Sequence, residues 1–308
     1  MRGFRTDLAM ESIGTGGVRR DGVLVEEDRL GAVARTRIVI ESPRAAASLK
    51  RPCGEYITLS CDGLSRCEPQ DRQRLIGLVA RSVQAMLPPE GTVLVVGLGN
   101  RNVTADALGT RVVERLLVTR HLHDALADGL GGRLRSVSAI APGVLGITGI
   151  ETAELCRGLV KHVKPSAVIA IDALAALDSA RICSTVQITD TGIEPGSGVG
   201  NHRLGLTQDT LGVKVIAVGV PMVVYASTIA RDAVTNLMED YGLMQDTQSE
   251  AGQLLLKKVS ESYLGEMVVT PREIDEMVLS VADLLSEGLN RALQPHLDAE
   301  TLHTFLHG

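Results

Sequence analysis

Two aspartates of this chain, Asp106 and Asp172, sit in surroundings that bias a carboxyl group in opposite directions. Asp172 follows the apolar run Ala167-Val168-Ile169-Ala170-Ile171, which reads as a buried strand of a parallel sheet. Clefts open at the carboxyl ends of such strands, and a carboxyl group that loses water there holds its proton more tightly. Asp106 lies in Asn102-Val103-Thr104-Ala105-Asp106-Ala107-Leu108-Gly109, which reads as the start of a helix with Thr104 as N-cap. Unpaired N–H groups and the helix dipole favour an anion at that position by about 0.3–1 kcal/mol. Brought within a few ångströms, the two would form a dyad: one activates water, the other protonates an amide leaving group, and titration belongs to the pair. Each also has a plainer reading, Asp106 as a helix cap and Asp172 as an N-cap after its strand.

Two glycine-rich segments are candidate walls of a cleft around such a pair. The first is the turn after Val95-Val96, containing Gly97, Gly99 and Asn100. It is not a dinucleotide fingerprint, because position 102 is Asn where a third Gly is needed, and the acid expected about 20 residues on falls near Leu117. The second spans residues 187–201 and contains Asp190, Gly196, Ser197, Gly198 and Asn201. So many glycines make a loop, either lining a cleft for an extended peptide or forming a rigid turn with no ligand. Ser197 is not in a nucleophile elbow, since Pro195 and Val199 occupy the glycine positions of that motif. His121 and His123, two apart near a helix end, point to different sides, and there is no His-Glu-x-x-His. No metal-ligand set is assigned, although two carboxylates leave a hard or borderline metal open.

The elements that position these residues are legible from composition and period. The chain has 308 residues, 44% of them apolar, with no Trp, two Phe and four Tyr. A large aliphatic core follows. The net charge of −6 and the scarcity of aromatic residues argue against nucleic acid as a partner. The five cysteines form no Cys-x-x-Cys pair and read as reduced thiols. No apolar run reaches the ~18 residues of a membrane span, so the expected location is cytoplasmic. Residues 1–22, with the break Gly14-Thr15-Gly16-Gly17, read as a mobile or loosely held arm. Short β-prone stretches between Val23 and Leu59 suggest antiparallel strands at a sheet edge, and a helix is expected over 69–86. Strands at 92–96, 137–141 and 167–171 alternate with helices at about 106–123 and 152–162. That pattern implies an α/β fold with a mainly parallel twisted sheet and helices on both faces. Runs at 184–188 and 213–220 extend the sheet, Pro221 closing the second, and a helical segment follows from 247 to 289 with Thr270 as a helix N-cap.

In several blocks the chain resembles the germination proteases of endospore-forming bacteria. The matching residues are 5–11 (Arg5-Thr6-Asp7-Leu8-Ala9-Met10-Glu11), 96–100, 103–109, 119–122, 142–152, 172–175, 185–201 and 219–221. By that resemblance Asp106 and Asp172 correspond to the two aspartates of an atypical aspartic-type site, on a fold similar to hydrogenase maturation proteases. The resemblance also implies a zymogen that cuts its own N-terminal segment at a site like those of its substrates, small acid-soluble spore proteins, and that works as a homotetramer in the spore core. Those sites have the form Thr-Glu followed by Phe-Ala-Ser-Glu, and Thr6-Asp7 followed by Leu8-Ala9-Met10-Glu11 has the same order of acid, apolar, small and acid. Residues 1–7 would then be a propeptide and 8–308 a single peptidase domain, with cleavage at Asp7-Leu8. Ala105 and Thr110 replace expected prolines, Met222 an expected Thr and Tyr225 an expected Asp. The alternatives are a metal-assisted peptidase of the hydrogenase-maturation type and a non-catalytic binding protein on the same fold.

Overall fold

The apolar runs of the described residues lie side by side in one mixed, nine-stranded sheet in the order β1-β2-β3-β7-β8-β6-β4-β5, with β9 (Val268–Val269) pairing β8. The computed structural model describes residues 6–13, 22–122, 134–194, 204–240 and 267–307. Strands β1 (Val23–Leu30), β2 (Val33–Ile40) and β3 (Gly54–Ser60) form the antiparallel edge, with the short helix α2 (Pro43–Leu49) between the last two. The parallel part comprises β4 (Val93–Gly97), β5 (Val137–Ile140), β6 (Ala167–Ala176) and β8 (Lys214–Tyr225). Strand β7 (Thr185–Thr189) joins the two parts, antiparallel to both β3 and β8.

Alternation along the strands assigns the two faces. Val93 and Val95 of β4, with Ile169 and Ile171 of β6, pack beneath helices α3 (Pro69–Met86), α4 (Leu108–Val113) and α9 (Ile274–Leu293). Leu94 and Val96, with Val168 and Ala170, face α6 (Thr152–Val163) and α7 (Gln208–Leu211). Full burial of each such side chain contributes about 1.5–3 kcal/mol, so a one-residue slip that swapped faces is strongly excluded. Along the second face the series continues from Ala170 to Asp172, Leu174 and Ala176.

Four expectations change. The strand carrying Asp172 does not stop at Ile171: its next five residues pair with Gly219 through Val224 of β8. Pro221 does not close β8, which runs on to Tyr225: its carbonyl accepts Cys183 N–H at 2.8 Å, away from β6, so its missing N–H takes nothing from the β6 ladder, where a register shift follows between Leu174 and Ala175. The helix expected over 106–123 is a 3-10 turn, Thr104–Asp106, followed by the short α4 and a further 3-10 turn, Arg120–Leu122. Its continuation is drawn off by buried Asn290 of α9, which bonds Leu117 N at 2.9 Å and Arg115 O at 3.1 Å in place of helical partners. Thr270 bonds Met222 O instead of capping α9, whose flanking residue is Glu273.

Where β4 ends decides where a site can form. Its last rung is Gly97 opposite Ile171, and Leu98 N–H still donates to Ile171 O at 2.8 Å. Beyond it the chain leaves through Gly99 at φ +100°, where a Cβ would lie 1.8 Å from Asp106 O. Asp172 is therefore the first residue of β6 past the end of β4, at the point where chain connections diverge to either side of the sheet. Gly99→Ala should cost more than about 1 kcal/mol in denaturant unfolding. In contrast Gly158→Ala, on the exposed surface of α6 with no atom within 4 Å of the added Cβ, should stabilise by up to about 1 kcal/mol. Equal effects of the two would contradict the turn's role.

Candidate functional site

The 3-10 turn brings Asp106 back under the Gly97–Asn100 turn, where its Oδ2 accepts the Asn100 N–H at 2.7 Å. Thr104 makes no cap, and neither that turn nor α4 has a side-chain cap, so Asp106 is not a helix-capping residue. Asp172 is 5% exposed, and its Oδ1 accepts the N–H of Ala173 at 2.9 Å. Burial pushes its carboxyl well above the usual range, Asp106 and Asp7 push it further as like charges, and the Ala173 hydrogen bond offsets only part. Asp7, Asp106 and Asp172 thus share one electrostatic neighbourhood.

Asp7 arrives there on the arm. Thr6 to Ile13 is not loosely held: Leu8 and Ala9 are fully buried. Asp7 bonds β6 past the last rung of β4, its N–H donating to Ala175 O at 3.0 Å and its Oδ2 accepting Ala175 N–H at 2.8 Å. Leu8 packs against Leu174, Ala176 and Val224. Arg51, just past α2, donates from Nη1 to Asp7 O at 3.1 Å and from Nη2 to Thr6 O at 2.7 Å and Leu8 O at 3.3 Å. Gln187 of β7 donates from Nε2 to Asp7 O at 3.0 Å and accepts Ala9 N–H at Oε1, 2.6 Å.

Four residues past Asp7, Glu11 is nearly sealed, with its side chain 5% exposed. Its carboxylate accepts the N–H groups of Leu177 at 2.9 Å and Asp178 at 3.0 Å, lies 3.2 Å from Arg181 Nε, and takes a short hydrogen bond from the Thr6 hydroxyl. The short helix α1 (Ala9–Ile13) carries it. Beside Asp7 is a cavity of about 160 Å³ lined by Tyr56, Leu174, Gln187, Thr189, Gly219 and other residues.

The remaining sequence-predicted residues divide. Asn100 and Gly99 build the Asp106 turn, and Gly97 lets β4 meet α4 backbone to backbone, a Cβ there falling 2.2 Å from Gly109 O. Asp190 faces β3, where its Oδ1 accepts Glu55 N–H at 2.8 Å. Gly196, Ser197, Gly198 and Asn201 lie outside the described residues. At the positions of unexpected type, Thr110 bonds Ala107 O, Met222 is buried beside Cys183, and Tyr225 pairs with Val268 at the end of β8. Among the described residues no three His, Cys, Asp or Glu side chains are grouped to hold a metal, and no helix is long and apolar enough to cross a membrane. Sequence reasoning missed Arg51, Gln187 and Arg181. A polar residue inside Val186-Gln187-Ile188 was the one available signal.

Comparison with known proteins agrees with this arrangement of blocks. A family model described as germination protease matches residues 11–260. A germination protease of Caldanaerobacter subterraneus is 43% identical over 99% of this chain and 98% of its own length. One from Clostridium perfringens is 40% identical over 99% of this chain and all of its own, and one from Bacillus thuringiensis 36% identical over 98% and 97%. Among solved structures, the NiFe hydrogenase maturation protease HycI of Thermococcus kodakarensis overlaps 68% of this chain and 98% of its own at 15% identity and a TM-score of 0.33, too distant to bear on the site. With a family model spanning most of its length and relatives of this similarity over nearly all of it, the chain belongs to the germination protease family, and is a peptidase.

Proposed function

We propose that the chain is a self-processing aspartic-type endopeptidase that cuts its own Asp7–Leu8 bond and, in trans, small acid-soluble spore proteins carrying the same acid, apolar, small and acid order. The observation that carries this reading is the docked arm, whose Asp7 lies within charge range of Asp106 and Asp172. An extended segment held by main-chain bonds to β6, with Leu8 in an apolar seat and Glu11 in a cationic one, is how a substrate strand is recognised. Asp172, kept protonated by burial and by its acidic neighbours, supplies the acid; Asp106 supplies the carboxylate that draws a proton from water. Water adds to the Asp7 carbonyl carbon, and Asp172 gives its proton to the Leu8 nitrogen as the bond between them breaks. The proton left on Asp106 restores Asp172 for the next turnover.

The dyad is tested by intact-mass measurement on the purified full chain. Asp106→Asn and Asp172→Asn should each slow loss of residues 1–7 by about 10²–10⁴ while leaving circular dichroism unchanged, and the parent product should begin at Leu8. Cleavage in either variant at the parent rate contradicts the dyad. A chelator that stops the parent, with recovery on adding zinc or nickel, would replace it with metal assistance.

The Asp172 proton also fixes a pH dependence of stability. Because folding raises its pKa, the folded chain binds a proton that the unfolded chain releases above about pH 4. Asp172 therefore costs stability progressively as pH rises from there through its raised value. Asp172→Asn should match the parent in thermal midpoint near pH 4 and exceed it at pH 8. A constant difference between the two pH values would show that the carboxyl titrates normally.

Selectivity for the second acid rests on the Glu11 seat. In a trans peptide with the sequence of residues 4–13, replacing its Glu by Gln should cost at least about tenfold in kcat/KM, since buried charge-assisted bonds are each worth roughly 1.5–3 kcal/mol. Arg181→Ala should erase most of that discrimination, and a variant that still prefers Glu tenfold would assign the selectivity elsewhere.

A further inference from the structure

Resting on the reading that Asp7–Leu8 is the bond cut, we infer that Arg51 and Gln187 are catalytic residues that grip the scissile carbonyl and stabilise the oxyanion formed on it. Two side-chain donors converge on Asp7 O, Arg51 Nη1 at 3.1 Å and Gln187 Nε2 at 3.0 Å. One is a cation in a planar fork, the other an amide whose orientation is fixed. Gln187 Oε1 must face Ala9 N–H, which it accepts at 2.6 Å, and this turns the NH₂ group to the carbonyl. Gln187 thus spans the bond, its Nε2 donating to the carbonyl of the residue before it and its Oε1 accepting the N–H of the second residue after it.

The sheet explains why these groups and the acids approach from opposite sides. Asp172 of β6 and Gln187 of β7 are both in register with Gly219 of β8, so all three lie in one row and the two side chains rise from the same face. Two strand spacings separate their backbones, about 10 Å, and the residue between has no side chain. The space over Gly219 is filled by Leu174, whose Cγ lies 2.6 Å from where a Cβ would stand, and Asp7 bridges the two strands, bonded through its N–H to Ala175 of β6 and through its carbonyl to Gln187 of β7.

The electron account assigns the clamp its task. As the water oxygen bonds to the Asp7 carbonyl carbon, one water proton passes to Asp106 and the C=O π pair moves onto the oxygen held by Arg51 and Gln187. The negative charge forms where the two donors already point, and each bond strengthens in the transition state. Collapse restores the carbonyl, breaks the C–N bond and sends the Asp172 proton to Leu8 N. The products are a carboxyl group on Asp7 and an amine on Leu8, and no further reactant is needed.

The test uses the full chain and follows its first-order shortening by intact mass, alongside amide exchange at Ala9 in an uncut Asp172→Asn background. Gln187→Glu keeps the Ala9 acceptor but removes the donor to the carbonyl; Arg51→Lys keeps the charge but removes the fork. Each should slow cleavage by about 10²–10³, with Ala9 protection within threefold of the background chain. Cleavage within threefold of the parent in both variants, or a slowed rate matched by lost Ala9 protection, would overturn the clamp, the second outcome reducing it to docking. Parent-rate cleavage by Asp172→Asn with slow Gln187→Glu would instead remove the dyad and leave the clamp standing. A parent chain that never shortens at Asp7–Leu8 overturns both.

Discussion

Asp172 is a carboxyl group closed off from water beside two like charges, with one local amide to offset them. An ionised carboxylate so placed would carry a desolvation cost of several kcal/mol, and burial with two like charges pushes its pKa well above the usual range. The rest of the site follows from that requirement. Strand β4 stops one rung short, so that Asp172 borders an opening rather than another strand. The chain then turns tightly enough, through a glycine no other residue could replace without strain, to bring Asp106 alongside. Backbone geometry thus gives two identical side chains different surroundings, Asp172 buried and Asp106 bonded to the Asn100 N–H.

The arm completes this environment. It bonds β6 past the end of β4, fills the apolar seat with Leu8, and adds the Asp7 charge that raises the Asp172 pKa further. In the proposed mechanism an acid ahead of the scissile bond is therefore more than a recognition mark: its charge favours the protonated form of the proposed donor. The second acid, Glu11, anchors the far end through two backbone N–H groups and a guanidinium. A segment fixed at both ends presents the proposed scissile peptide bond in one orientation, which would be the entropic part of catalysis.

Much of the frame could be read from the residues. Helix α3 begins at Pro69 and ends at Met86 where the apolar period does, and the alternating strands and helices from Val93 to Val163 predicted the parallel segment. Asp172 could be placed beside a cleft because a long apolar run precedes it, yet the strand's continuation depended on β8, which local pattern does not reveal. The helix after Asp106 was overestimated because its apolar period continues, while Asn290, more than 170 residues away, supplies hydrogen bonds that end it. Arg51 gave no signal for the same reason, and Gln187 only that of a polar residue in an apolar strand. Their meaning lies in a carbonyl 44 residues from one and 180 from the other, and no spacing rule connects them.

The most direct measurement of the central claim is the protonation of Asp172 itself. Infrared difference spectra between the parent chain and Asp172→Asn, taken with Asp106→Asn as background to prevent cleavage, report the C=O stretch of a neutral carboxylic acid. The account predicts that this band is present near neutral pH and disappears only on the alkaline side. Its absence at pH 6, with a carboxylate band in its place, would mean that the buried group is already ionised and cannot be the proton donor.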